Sequence, residues 1–149
     1  MIYGFYLYSR TGLCLYHLEL VKYKGLSSPE EHKRFMFGLL RTLRNFAHFV
    51  SHEPKDNIVR VVTTTSFRLH VYMTATGLRF AILSSLETPR LDQTLSYLYQ
   101  LYVEYVAKNP LYIVGNIIKC DQYHKQVKRH LTGEVYNFNS TKYAVSKIQ

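Results

Sequence analysis

The stretch Ile2-Tyr3-Gly4-Phe5-Tyr6-Leu7-Tyr8-Ser9-Arg10-Thr11-Gly12-Leu13-Cys14-Leu15-Tyr16-His17-Leu18-Glu19-Leu20 decides the architecture. Two runs rich in Tyr, Phe and Leu, Ile2 to Ser9 and Leu13 to Leu20, flank Arg10-Thr11-Gly12, whose glycine supplies the positive φ of a tight turn. The chain therefore opens on a β-hairpin. Ser28-Pro29-Glu30-Glu31 then reads as an N-cap Ser, a Pro at the first helical position and a Glu at the third, the capping-box pattern. Behind it Met36, Leu39, Leu40, Leu43, Phe46, Ala47 and Val50 recur at steps of three and four, so one apolar stripe of a helix must pack on a sheet.

Further along, Ile58 to Phe67 is dense in Val and Thr, and Leu69, Val71 and Met73 alternate with His70, Tyr72 and Thr74, which predicts two strands. Thr76-Gly77 turns the chain into a third strand over Leu78 to Leu83. Pro89 opens a second helix with a buried face of Leu91, Leu95, Leu98, Tyr102 and Tyr105, and Asn109-Pro110 stops it. A last helix is expected over Ile113 to Leu131, and beyond Thr132-Gly133 only a short polar tail. The order hairpin, helix, three strands, two helices is an α+β plan: a five-stranded antiparallel sheet with helices on both faces. No linker or repeat divides it, so residues 1–131 read as one domain and 132–149 as its tail.

At 149 residues and 47% hydrophobic content the chain is long enough for one core. Nineteen Lys and Arg against ten Asp and Glu give a formal charge of +9, which favours nucleic acid, an anionic membrane leaflet or an acidic protein as partner. Cys14 and Cys120 lie far apart inside apolar-patterned segments, and read as reduced, packed thiols. Met1 to Tyr8 lacks the basic leader and small-residue cleavage site of a signal peptide, and no uninterrupted apolar run reaches the length of a membrane span. In a chain without a secretory route the sequon Asn139-Ser140-Thr141 is a chance match.

Catalytic signatures are missing. The seven Gly are scattered, with no phosphate-cradling loop and no nucleophile elbow, and Glu30 and Glu31 already serve a helix N-terminus. His48 and His52 stand at i and i+4, but the second falls at the expected helix end with no carboxylate or thiolate nearby, so a solvated helix end is the better reading than a metal site. His124 and His130 are six apart, on different helix faces, and read as surface residues. Neither catalytic residues, metal ligands nor a cofactor are expected. Arg68, His70 and Arg79 among aromatics suggest a base-stacking sheet, as in an RRM, but that fold begins strand, helix, strand.

Two surfaces stand out as partner-binding. Arg34, Phe37, Arg41, Arg44 and His48 form a second stripe on the first helix, about 150° around from the apolar one at about 100° per residue. Its bland reading is a solvated basic face, while a Phe among Arg is the composition of interface anchors. In the Ile58 to Thr65 strand, Ile58, Val59, Val61 and Val62 are apolar on both faces, which fits a doubly covered strand or an edge hidden by a partner. Lys125, Lys128 and Arg129 cluster on the final helix, either as plain solvated charges or as a membrane-facing group.

Several of these segments resemble the small longin-type TRAPP subunits, and among them the trafficking protein particle complex subunit 1 group. Tyr6-Leu7-Tyr8-Ser9-Arg10-Thr11-Gly12-Leu13-Cys14-Leu15 is similar to that group's hairpin, and Met36-Phe37-Gly38-Leu39-Leu40 with Leu43-Arg44-Asn45-Phe46 to its first helix. Thr65-Ser66-Phe67-Arg68-Leu69-His70 with Thr76-Gly77 resembles its meander, and Tyr102-Val103-Glu104-Tyr105-Val106-Ala107-Lys108-Asn109-Pro110-Leu111 its helix end and Pro stop. The resemblance implies a longin (profilin-like) fold and a non-catalytic role in a vesicle-tethering complex of ER-to-Golgi transport. The chain would sit in the cytoplasm, peripheral to Golgi and endoplasmic reticulum membranes. Its implied partners are a second longin-type subunit, a palmitoyl-carrying subunit and, through the assembled core, a Rab-family GTPase whose nucleotide exchange that core promotes. Phe37, Arg41, Arg44, Val59 and Val61 would face the longin neighbour, and Lys125, Lys128 and Arg129 an anionic membrane. Leu20 stands where relatives carry Trp, and the tail is longer than theirs. A clathrin-adaptor small chain shares the hairpin pattern but would carry Lys-Trp-Tyr after it; a longin SNARE would add a heptad repeat. A basic nucleic-acid-binding module is the rival of a different class.

Overall fold

The computed structural model describes residues 1–22, 28–52 and 59–146, with side chains described up to 133. Its elements run β1 (Ile2–Tyr8), β2 (Cys14–Glu19), α1 (Pro29–Val50), β3 (Val61–Thr63), β4 (Arg68–Met73), β5 (Arg79–Ser84), α2 (Asp92–Tyr102), a π-helical turn (Val103–Ala107) and α3 (Asp121–Ser146). The strands pair antiparallel in the order β2-β1-β5-β4-β3, so the hairpin's first strand meets the last strand of the meander inside the sheet, and β2 and β3 form its edges. This is the sheet that the hairpin-first order and the longin resemblance imply.

Side-chain alternation divides the interior into two cores. Phe5, Leu7, Phe80 and Ile82 point to one face, where Leu95, Leu98, Tyr102, Tyr123, Val127 and Leu131 of α2 and α3 cover them. Tyr6, Tyr8, Leu69, Ala81 and Leu83 point to the other, beneath Met36 and Leu40 of α1. Helices therefore cover both faces. Local chemistry seats α1 as its sequence demands: Ser28 Oγ accepts from Glu31 N–H at 3.2 Å, and Pro29 opens the helix. At the hairpin turn Gly12 has φ of 100°, and a Cβ there would come within 2.7 Å of the Phe37 ring. Both backbone and space therefore exclude a side chain.

Three sequence expectations are corrected. The strand placed over Ile58 to Phe67 is only Val61–Thr63, because Thr64 Oγ1 accepts from the Ser66 and Phe67 N–H groups and folds Thr64–Phe67 into a turn; Ile58 itself lies outside the described residues. The last helix starts at Asp121, not Ile113, since residues 111–117 form a loop in which Gly115 has φ of 93° and Tyr112 Oη donates to Asn116 O at 2.7 Å. It also continues through Thr132-Gly133 to Ser146, so the boundary drawn at Leu131 falls inside a helix. One glycine in a helix interior costs only about 1 kcal/mol, too little to end it.

Candidate partner-binding surface

The short β3 is an edge strand. Val71 N–H donates to Arg60 O at 2.8 Å and Thr64 N–H to Phe67 O at 2.9 Å, so alternate residues Arg60, Val62 and Thr64 turn their backbone groups to β4. Val61 and Thr63 turn theirs outward, a template for pairing with another chain. Val62 packs against the α1 side of the sheet, and the half-buried Val61 alternates to the other face.

Across this sheet α1 runs obliquely. Its start lies over β1, where Tyr6 Oη and His32 Nδ1 share a hydrogen bond of 2.7 Å and Tyr8 Oη donates to Lys33 O at 2.8 Å. Farther on, Leu40, Leu43 and Arg44 border an apolar notch with Val59, Val71, Met73 and Arg79. Its last turns carry Phe46 at 65% and Phe49 at 86% exposure, with Val50 also exposed. With Phe35 and Leu39, also exposed, these residues recur at steps of three, four and seven and form a separate apolar stripe.

What the spacing presents as one stripe is therefore two. Met36 and Leu40 are buried as expected, whereas Leu39, Phe46 and Val50, assigned to the same packed face, are exposed. The signal was present only once Phe35 and Phe49 are added to that stripe: at about 100° per residue the apolar positions then span roughly 180°, wider than one layer covers. Phe37 is corrected in the opposite sense. Rather than standing exposed among Arg residues, it packs over the hairpin turn, with its ring 5.6 Å from that of Tyr8 and the Arg79 guanidinium 5.1 Å above it. Arg41 and Arg44 are exposed, and Arg44 and Val59 meet at the notch.

Arg79 makes this surface electrostatically unusual. It is buried, and Nη1 has no hydrogen-bond partner. Burial, then the like charges of Arg44 and Arg41, draw its pKa below the ordinary value. A positive notch at an open sheet edge suits a partner that brings acidic groups or carbonyl oxygens.

Elsewhere the chemistry is structural. Arg68 Nη1 donates to Thr88 O at 2.7 Å and His70 is buried against Ser84 Oγ at 3.0 Å. With both sheet faces covered by helices, Arg68, His70 and Arg79 form no open stacking platform. Among the described residues, no group of three or more His, Cys, Asp and Glu could hold a metal ion. His48 and His52 are exposed at the end of α1. Of the two His read as surface residues, His124 is exposed and meets Tyr16 Oη at 2.8 Å, while His130 is half-buried with its ring 4.3 Å from Tyr97. Cys14 and Cys120 are free thiols, and burial pushes Cys14 up to about 11. Lys125, Lys128 and Arg129 are all exposed on α3, opposite its buried Tyr123, Val127 and Leu131.

A family model described as "Sybindin-like family" matches residues 2–134. Trafficking protein particle complex subunit 1 of Dictyostelium discoideum is 33% identical over 134 residues, covering 88% of this chain and 94% of that one. The Homo sapiens protein of the same name is 29% identical over 87% of this chain and 91% of its own. Trafficking protein particle complex subunit BET5 of Saccharomyces cerevisiae is 30% identical over 74% of each. Among solved structures, Myxococcus xanthus MglB aligns with 69% of this chain and 85% of its own at a TM-score of 0.49 and 7% identity.

Proposed function

The chain belongs to the Sybindin-like family, and from that premise we propose that it is a non-catalytic subunit of the TRAPP vesicle-tethering complex. It acts through its surfaces, joining a second longin-type subunit in a core that promotes nucleotide exchange on a Rab GTPase in ER-to-Golgi transport. Its place is then peripheral to Golgi and endoplasmic reticulum membranes. A curated relative named trafficking protein particle complex subunit 4 also matches, at 33% identity over 49% of this chain, which supports a neighbour of related sequence.

The observation that carries the interface is the open β3 edge beside the exposed aromatic end of α1. Outward backbone groups of Val61 and Thr63 give register, Phe46 and Phe49 give apolar area, and Arg41, Arg44 and Arg79 give charge selectivity. Phe37 serves indirectly, by seating α1 on the hairpin turn. The test replaces Val59 and Val61 by Lys, and measures how much of the other subunits co-purifies with the full chain. Loss of co-purification with retained circular dichroism is expected. Unaltered assembly overturns the assignment of this edge. The isolated chain is expected to leave the exchange rate of a Rab GTPase unchanged, and a monomer that accelerates exchange alone contradicts the scaffolding role.

A further inference from the structure

The loop between the π-helical turn and α3 displays its apolar side chains instead of burying them. Leu111 is 90% exposed and Val114 82%, and Ile113 and Ile117 are exposed beside them. The loop is not slack. Asn109 Oδ1 accepts from Leu111 N–H at 3.0 Å, Tyr112 N–H donates to Asn109 O at 3.1 Å, Asn116 N–H donates to Ile113 O at 3.1 Å, and Ile118 N–H ties the end to Leu15 O at 2.9 Å. Leu111, Ile113 and Ile117 themselves border an open cleft of about 330 Å³ with Tyr105, Val106 and Ile118, and still remain exposed. The bonded backbone holds them out.

What borders the loop tells what it meets. Lys108 and Lys119 flank it, both exposed, and Lys125, Lys128 and Arg129 follow on the outer face of α3 within about 15 Å of helix. Among the described residues from 104 to 133, the acids set against these five cations are Glu104, which pairs with Lys108 at 3.3 Å, and Asp121. Protein interfaces are depleted in Lys and draw their anchors from aromatics and Arg. Aliphatic tips ringed by Lys suit a leaflet, where long stems lie along acyl chains while their ammonium groups reach anionic headgroups.

We propose that residues 111–117 insert into the headgroup boundary of an anionic lipid leaflet, with Lys119, Lys125, Lys128 and Arg129 supplying the attraction. The insertion is independent of the β3 interface. Leu111, Ile113, Val114 and Ile117 contribute the apolar area, and the cations make binding sensitive to lipid charge and salt.

The chain has no Trp, so Val114→Trp creates a single reporter. The full-length variant is mixed with phosphatidylcholine vesicles with and without phosphatidylserine, and the same measurement is made on the complex purified through it. The expected result is a blue shift and shielding from an aqueous quencher on phosphatidylserine vesicles alone. The combined change Leu111→Asp, Ile113→Asp and Val114→Asp should weaken vesicle binding by roughly a hundredfold, since all three side chains are already exposed and the fold does not need them. Changing Lys125, Lys128 and Arg129 to Glu should weaken vesicle binding at low salt most strongly, so that raising the salt no longer lowers it further. No shift on either vesicle, or an equal shift on both, overturns the proposal. So does a Trp already shielded in the vesicle-free complex, which would assign the loop to a neighbouring subunit. Loop variants that lose co-purified subunits overturn it for the same reason, whereas failure of the Val59 and Val61 test leaves the lipid contact standing.

Discussion

On α1 the exposed apolar residues include Phe35, Phe46 and Phe49, and the charges along the flank are Arg34, Arg41 and Arg44; on the loop at residues 111–117 the exposed residues are Leu, Ile and Val, and the neighbouring charges are mostly Lys. Both regions show large apolar side chains to solvent, yet their fringes differ in kind. A planar, weakly hydrated guanidinium beside rigid rings loses little entropy when a protein covers it. A strongly hydrated ammonium on a flexible stem is better left at a wet boundary. The border of an apolar patch therefore says more about its occupant than the patch itself.

The sharpest test separates the two regions. Phe46→Asp with Phe49→Asp places two carboxylates where the α1 aromatics stand. Each ring is already exposed, so the thermal midpoint should move little, while affinity for the remaining subunits should fall by roughly a thousandfold, about 4 kcal/mol. Vesicle binding should be unchanged. If instead assembly survives and vesicle binding is lost, the two surfaces have exchanged roles.

Next in size is the seat of α1. Gly12→Ala must adopt a φ of 100° and meets the Phe37 ring at 2.7 Å, so it is penalised twice: for the left-handed backbone and for displacing the ring that packs on Tyr8. A loss of about 3 kcal/mol in urea unfolding is expected. Because Phe37 fixes the start of α1, assembly should weaken with it. A stability within 0.5 kcal/mol of the parent, roughly the spread of neutral surface changes, would show that the turn relaxes and that α1 is seated by other contacts.

Much of this was legible in the residues. The hairpin, the meander and the Ser28 cap were legible because alternation, Gly turns and capping residues are local signals, whereas the β1–β5 pairing that joins the two groups of strands is non-local and no spacing announces it. The α1 error had another source: periodicity reports which residues are apolar, not how wide a sheet lies beneath them, so Phe46 and Val50 read as core. The start of α3 was missed because Tyr112, Gly115 and Asn116 break helix through hydrogen bonds that no spacing announces. Phe37 illustrates the converse, since its burial depends on a glycine twenty-five positions away.

A smaller effect appears on acidification. Burial, then the adjacent Arg68 charge, lowers His70 from 6.5 to about 4, and this residue pairs across the sheet with Val61 of the proposed edge. Between those pH values the unfolded chain binds a proton that folded His70 refuses. The contribution is thus fully present above pH 6.5 and is lost as pH falls toward 4, on the order of 2 kcal/mol. His70→Gln should flatten the pH dependence of urea unfolding in that window, leaving a residue of the same sign from His17 and His32, both lowered mainly by burial. An unchanged slope would mean that His70 takes up its proton as readily in the fold as in the unfolded chain.

Gly115 offers the mildest contrast, because it shares the left-handed backbone of Gly12 without its neighbour. Its φ is 93°, but a Cβ there meets nothing within 4 Å. Gly115→Ala therefore carries the backbone cost alone, about 1 kcal/mol, and relief is local: the loop can relax while Tyr123, Val127 and Leu131 keep α3 in the core. Global stability should change by no more than that, and subunit assembly not at all. Vesicle binding should drop a few-fold, since a rearranged turn no longer holds Val114 and Ile117 outward together. A Gly115→Ala chain as destabilised as Gly12→Ala would show that the loop belongs to the cooperative core, which would remove the reason for treating it as a rigid, independent display of apolar side chains.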